Sequence, residues 1–375
     1  MEKVKKLPDE DIEFSNVQSV GNETKSRKIE HVKVALNVDV QYKLLTTMFN
    51  DVTLLPNGKE VDIDTIKTEA KFLRKNITAP IFVSGMTGGD QRVGKINYDI
   101  ARAVSELKLP MGVGSQRAMI EDKNVVETYA VKREYDVILL GNIGAAQAIN
   151  YKVEQIVDML SKIDADALCI HTNPAQEIAQ PEGDIKFKGA LEAIERLADN
   201  LDQKVIVKEV GNGISKEVAK RLAQTNIYGM DTGGAGGTNW VAIELYRAGK
   251  SGEYKHIFKE WGLSTAQSLL EIKSEFNGFV TATGGIRTGL DLVKAVVLGA
   301  DACGIATPII QAQSTGGSDG IKSYLNNLIY DFKLEMAKLG VSDIQELKGI
   351  KYNLSGSLYR IVQQRLYNKP LVEYL

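Results

Sequence analysis

"DALCIHTNPAQEIAQPEGDIKFKGALEAIERLADNLDQKVIVKEVG" (residues 166–211) holds one complete unit of the fold. It opens on a short apolar run, "DALCIH", and closes on another, "KVIVKEVG". Between them Leu191, Ile194, Leu197 and Leu201 recur at spacings of three and four, the period of one helix face. Two β-rich runs bridged by an amphipathic helix form a βαβ unit, which sets its strands parallel. The alternation continues on both sides. "APIFVSG" (79–85), "PMGVGS" (110–115) and "DVILLGN" (136–142) precede it, and "IYGMDTGG" (227–234), "GFVTATGG" (278–285) and "ACGIAT" (302–307) follow. Ile96, Ile100, Val104 and Leu107 mark another helix face. Eight such repeats within about 250 residues predict an α/β fold, a closed (β/α)8 TIM barrel rather than an open sheet.

Three regions follow. Residues 1–76 are an N-terminal extension expected to contribute to the active-site cover, 77–340 the barrel, and 341–375 a helical tail packed on it. Within the extension, "VTLLPNGKEVDI" (52–63) predicts a hairpin turning at Asn57-Gly58. The tail "IQELKGIKYNLSGSLYRIVQQRL" (344–366) reads as one or two helices. The long connection 235–263 is the kind of segment that forms a lid or binding loop.

Composition narrows the function. A net charge of −2 over 375 residues argues against nucleic acid or an anionic membrane as partner, so any anion site is local. Cys169 and Cys303 each lie inside an apolar run and form no C-x-x-C pair. That argues against disulfides and zinc ribbons and for a reducing, cytoplasmic setting. Only His31, His171 and His256 are available, so a histidine-rich metal site is not expected. The charged N-terminus "MEKVKKLPDEDIEF" is no signal peptide, and no stretch approaches the roughly 18 apolar residues of a membrane span.

Barrel sites form at the C-terminal ends of the strands, and the polar, glycine-rich stretches of this chain fall there. "GGIR" (284–287) and "GIAT" (304–307) suggest a phosphate cradle of glycine backbone and helix-start N–H groups. Lys208 follows "VIV" where a buried strand should end. A lysine inside the mouth beside a phosphate cradle suits flavin mononucleotide (FMN), whose pyrimidine edge gathers negative charge on reduction. In "HTNPAQEIAQPEGD" (171–184), His171 and Asn173 are two apart and point the same way in extended chain. With Gln176 they suit an anion or polar ligand. Glu177 beside that anion reads as a magnesium ligand shared with phosphate oxygens. The half "QPEGD" (180–184) is expected to shape and cap the following helix.

"SRKIEH" (26–31), "MTGG" (86–89), "GSQRAM" (114–119), "HTNPAQE", "QPEGD", "KEVGNGIS" (208–215), "AGGTNW" (235–240) and "GGIRTG" (284–289) together resemble type 2 isopentenyl diphosphate isomerase. They stand in family order across roughly residues 26–307. The resemblance implies interconversion of isopentenyl and dimethylallyl diphosphate. It implies reduced FMN and Mg2+ as cofactors, NADPH or another reductant charging the flavin, and a homotetramer or homo-octamer. It implies FMN contacts at Met86, Thr87, Gly88, Ser115, Asn142, Lys208, Thr238, Gly284, Gly285, Arg287 and Ala306. Arg27, Lys28, Arg117, His171, Asn173 and Gln176 would grip the diphosphate side of the substrate, with Arg27 and Lys28 reaching over the mouth from outside the barrel. Glu177 would hold the metal. Gln176 and Lys208 are the catalytic candidates, Gln176 assisting the proton transfer and Lys208 facing the flavin. Trp240 is either a wall of the isoprenoid pocket or a core residue.

An FMN-dependent 2-hydroxy-acid oxidase or dehydrogenase is the alternative. It needs a histidine–arginine pair after the sixth strand, where this chain reads "DTGGAGGTNW" (231–240). IMP-dehydrogenase-like chemistry needs a cysteine there, and both cysteines lie within other strands. A non-catalytic scaffold leaves the polar rim without a purpose.

Overall fold

The computed structural model describes residues 20–202, 204–249 and 259–367. Eight parallel strands close into one barrel: β1 (Ile81–Val83), β2 (Met111–Gly112), β3 (Leu139–Gly144), β4 (Ala167–His171), β5 (Lys204–Lys208), β6 (Gly229–Asp231), β7 (Phe279–Thr283) and β8 (Ala302–Ile305). They run in chain order, and β8 closes against β1. Each predicted run holds one strand. β3 continues two residues past its predicted end.

Alternation along the strands sorts two cores. Leu168, Ile170, Val205 and Val207 pack outward under the helices, while Ala167, Cys169 and Ile206 fill the lumen. The helices that matter below are α1 (Val20–Asn37), α2 (Gln91–Leu107), α3 (Pro174–Ala179), α4 (Ala190–Asn200), α5 (Trp240–Arg247), α6 (Gly289–Val297) and α7 (Thr307–Leu339). α2 buries Ile96, Ile100 and Val104, and α4 buries Ile194 and Leu197, the faces that their spacing predicts.

The extension departs from expectation. The stretch 52–63 is no hairpin. Val52–Leu54 pairs antiparallel with Tyr352–Leu354, so the tail contains a strand between its two helices, Ile344–Lys348 and Gly356–Arg365. Asn57-Gly58 does turn, with Gly58 at φ 76°, but the turn docks on the end of α7: Asn57 Nδ2 donates to the Gly340 carbonyl at 2.9 Å. The hairpin lies instead at 70–77, turning through Leu73 and Arg74 with φ of 50° and 68°. Its Phe72 is fully buried against Phe82 and Phe279, ring centroids 5.3 and 5.1 Å away, and plugs the N-terminal end of the barrel.

At the other end, α1 lies across the mouth, and a strap around residues 40–47 follows over the loops after β6 and β7. Asn239 N donates to Val40 O at 2.8 Å, Tyr42 N to Gly237 O at 3.1 Å and Ala266 N to Thr47 O at 3.0 Å. The first part of the chain therefore passes from one end of the barrel to the other. The connection 235–263 contributes α5, and its residues 250–258 lie outside those described. No helix among the described residues is long and apolar enough to cross a membrane.

Candidate active site

Strand register builds the rim. His171 pairs with Lys208, and Lys208 with Asp231, so three ionisable side chains from β4, β5 and β6 stand on one level at the C-terminal end. One cavity there is lined by Arg27, Lys28, Arg117, His171, Asn173, Gln176, Glu177 and Lys208. Met86, Ser115, Asn142, Thr238, Trp240, Gly284, Gly285, Arg287 and Ala306 line the same cavity. Thr87 lines an apolar recess adjoining it, beside Val32, Ile243 and Ile310. Gly88 lines neither. A side chain there would strike the Tyr129 ring at 2.2 Å, and its φ is 133°.

The stretch after β4 turns directly into the short helix α3. Pro174 stands in its first turn, after Asn173 at the N-cap. Asn173 Nδ2 donates to Gln176 Oε1 (3.2 Å) and to Glu177 Oε1 (3.1 Å), setting both side chains at the mouth. The "QPEGD" half does not cap the following helix, whose N-cap is Gly189. It folds back, and Asp184 N donates to Glu177 Oε2 at 2.7 Å. Each Glu177 oxygen accepts one hydrogen bond and keeps a second lone pair, and the residue lines the cavity.

Among the residues at the site not singled out from sequence, His31, Gln180 and Glu244 form one network, with Glu244 behind the cavity wall. Glu244, in α5, has a fully buried side chain. Its Oε1 accepts from His31 Nε2 (2.8 Å) and Gln176 Nε2 (3.0 Å). Oriented to satisfy both neighbours, the Gln180 amide donates to Glu244 Oε1 at 3.1 Å and accepts from Arg27 Nη1 at 2.9 Å. Arg247 donates to Glu244 Oε2 and pairs with Glu30 and Glu182, each at 3.0 Å. Burial alone would raise the Glu244 pKa, but the His31 hydrogen bond and the Arg247 charge pull it down to about 2. The available signals were helical spacing: His31 lies three and four residues after Lys28 and Arg27, and Glu244 four after Trp240. Trp240 itself meets the His31 ring edge-on, centroids 5.2 Å apart, and walls the cavity.

Burial sets the charges. Lys28 is not a solvated helix residue. It donates to the carbonyls of Gly88 and Ser115 and to Tyr129 Oη, which occupies all three of its protons. Burial, then repulsion from Arg27, lowers its pKa to about 7. His171 is pushed down to about 3 by burial and by Lys208, Lys28 and Arg27. The ring is therefore neutral. Asn142 Nδ2 donates to Val113 O, so Asn142 Oδ1 must accept from His171 Nδ1 (2.9 Å), a tautomer assigned from this network. His171 thus offers Nε2 as an acceptor until a bound anion draws a proton onto it, rather than the ready donor its type suggests. Arg117 spends only Nε, on Glu121 Oε1 at 2.7 Å. Lys208 Nζ donates to Glu209 O at 2.9 Å and stands between the mouth and the lumen.

The cradle after β7 and β8 fits a phosphate-bearing flavin. Gly284 and Gly285 have φ of 105° and 77°, and a side chain on Gly284 would meet the Gly234 carbonyl at 2.0 Å. α6 is already capped by Thr288 and Asp291, so its start offers less to an anion than expected. α7 has no side-chain cap, but Pro308 carries no N–H and Ile309 N donates to Ala306 O at 2.9 Å, so its start leaves the Thr307 amide for a ligand. Ser84 Oγ and Thr87 Oγ1, both on the loop after β1, are buried with no partner. Such orphans are met by a ligand's polar edge. Among the described residues, the stretch after β6 brings Thr238 and Trp240 to the mouth, and neither histidine nor arginine.

Barrel, cradle and internal lysine define the FMN-dependent class of TIM-barrel enzymes. In agreement, the profile of the FMN-dependent dehydrogenase family matches residues 136–352. Solved structures of mandelate oxidase share the fold: one with an FMN adduct superposes with a TM-score of 0.59 at 19% identity, covering 87% of this chain and 92% of that one. Another gives a TM-score of 0.61 at 17% identity, covering 90% and 100%. The isopentenyl-diphosphate delta-isomerase of Methanocaldococcus jannaschii is 40% identical over 92% of this chain and 98% of its own length. That of Halobacterium salinarum is 40% identical over 92% and 97%, and that of Pyrococcus abyssi 38% over 91% and 95%. The chain belongs to the isopentenyl-diphosphate delta-isomerase family.

Proposed function

We propose that this enzyme interconverts isopentenyl and dimethylallyl diphosphate, in isoprenoid biosynthesis, with reduced FMN and Mg2+. The observation that carries the reading is the meeting, in one mouth, of a phosphate cradle, Lys208 and the anion-binding set around α3. Met86, Thr87, Ser115, Asn142, Lys208, Thr238, Gly284, Gly285, Arg287 and Ala306 would hold the flavin, with Gly88 shaping the loop behind it. Bound in reduced form, FMN supplies a protonatable ring nitrogen and an electron-rich face. Lys208 lends that site a fixed positive charge. Arg27, Arg117 and His171 grip the diphosphate, while Asn173, whose two amide hydrogens are spent on Gln176 and Glu177, holds those side chains beside it rather than gripping the anion itself. Lys28 joins them by exchanging one of its three protein acceptors. Glu177 would share the metal with diphosphate oxygens, the usual mode for Mg2+ at phosphate sites. Trp240 offers the isoprenoid an apolar wall.

The reaction adds a proton at one end of an alkene and removes another two carbons away, with no net change in oxidation state. Gln176, clamped between Asn173 and Glu244, presents a fixed amide beside the reacting carbons and assists that transfer. The test is anaerobic turnover of isopentenyl diphosphate in deuterated water after one photoreduction. Many product molecules per flavin are expected, with deuterium in the new methyl group and no NADPH consumed. Product tracking NADPH oxidation one to one would make the protein an oxidoreductase. In the same assay Glu177→Gln is expected to raise the Mg2+ needed for half activity while FMN stays bound. Superimposable Mg2+ titrations would remove Glu177 as ligand. We also propose a cytoplasmic homotetramer or homo-octamer, which a native mass of one chain refutes.

A further inference from the structure

Arg287 is half-buried at the cradle, and the nearby Asp291 carboxylate accepts from the backbone N–H groups of Arg287 and Thr288 at 3.0 Å each rather than from the guanidinium. Its Nη1 donates to Ile286 O at 2.9 Å and its Nη2 to Gln41 Oε1 at 3.1 Å. The other end of the same amide, Gln41 Nε2, lies 3.4 Å from Thr238 Oγ1, which in turn meets Thr307 Oγ1 at 2.5 Å. One side chain thus ties together the loops after β6 and β7 and, through Thr238, the start of α7. Gln41 belongs to none of these elements. It stands in the strap, where an antiparallel bridge pairs it with Thr238 and the backbone bonds of Val40 and Tyr42 fix it on either side.

On the reading proposed above, these are the loops that hold the FMN phosphate. We propose that Gln41 is a positioning residue of that phosphate site: its amide aims the Arg287 guanidinium and the Thr238 hydroxyl at the phosphate. The residue type matters. An amide oxygen accepts from arginine without neutralising it, so the full positive charge remains for a phosphate dianion. A carboxylate at the same place would take the arginine for itself and repel the ligand. The N-terminal strap then serves cofactor capture as well as covering the mouth.

Riboflavin, which lacks the phosphate, separates this role from general support of the fold. The full chain freed of flavin is titrated with FMN and with riboflavin, following flavin fluorescence. Gln41→Ala is expected to weaken FMN binding about tenfold and Gln41→Glu about a hundredfold, a removed hydrogen bond against an added repulsion. Riboflavin affinity should stay within about twofold of the parent in both. Equal losses for the two flavins would mean a merely structural contact and overturn the proposal, as would unchanged FMN binding in Gln41→Glu. Failure of the parent chain itself to bind FMN would instead overturn the proposed function.

Discussion

Lys208→Met is expected to lower kcat by on the order of a hundredfold or more and to make the bound flavin harder to reduce. The substitution keeps most of the aliphatic stem and removes only the charge. A cation near a developing anion at the barrel mouth is worth a few kcal/mol at the effective dielectric of such sites, which corresponds to a midpoint potential lower by on the order of 50 mV. The fold should survive. Asp231, the neighbour in register, is buried and hydrogen-bonded to Thr283 Oγ1 at 2.6 Å, and burial already raises its pKa. Without Lys208 it takes a proton rather than remaining an unpaired charge. Spectrophotometric reduction against a reference dye reads the potential. An unchanged value would move Lys208 away from the flavin.

The second large effect belongs to Glu244. Replacement by Leu takes the buried carboxylate from Arg247, which keeps only Glu30 and Glu182 at the rim, leaves His31 Nε2 without its acceptor and releases Gln176, so stability should fall by about 3 kcal/mol, the low end for breaking a buried ion pair. Catalysis should drop at least tenfold through kcat, with the Mg2+ requirement unmoved, because Asn173 still holds Glu177. A parent-like kcat in Glu244→Leu would end the claim that it positions Gln176. The pH dependence has a definite sign. The folded value of Glu244 is depressed to about 2, so its contribution is whole above the unfolded value of 4.5 and is lost as pH falls toward 2. His171, neutral to about pH 3 when folded, adds loss in the same direction below about 6.5, where the unfolded chain takes up its proton. Acid unfolding of Glu244→Gln should therefore be shallower between about pH 4.5 and 2 than that of the parent.

How far the sequence can be read shows in particular elements. The barrel was legible because its strands alternate with helical faces of fixed period, and Leu168 and Ile170 or Ile194 and Leu197 declare which side is buried. The rim was legible because polar residues at strand ends have no place in a core. The hairpin was misplaced because Asn-Gly is the strongest short-range turn signal, whereas the partner of Val52–Leu54 lies some 300 residues away and leaves no local trace. The true turn uses Leu73 and Arg74, which carry no turn signature. α3 leaves no signal because six residues cannot display a helical period. Glu244 was hidden by its neighbours: a lone glutamate in "WVAIELYR" looks like an ordinary amphipathic helix until the fold buries it.

The route of the first part of the chain also orders its birth. Among the described residues Val52–Leu54 pairs only with Tyr352–Leu354, so this strand must wait while the intervening 300 or so residues are made. At ordinary synthesis rates of about 5 to 20 residues per second, the delay is roughly 15 to 60 s. Through that interval Val52–Leu54 has no edge to join on that side of the barrel. The seam at 52–54 is therefore sewn late, well after its own residues have left the ribosome.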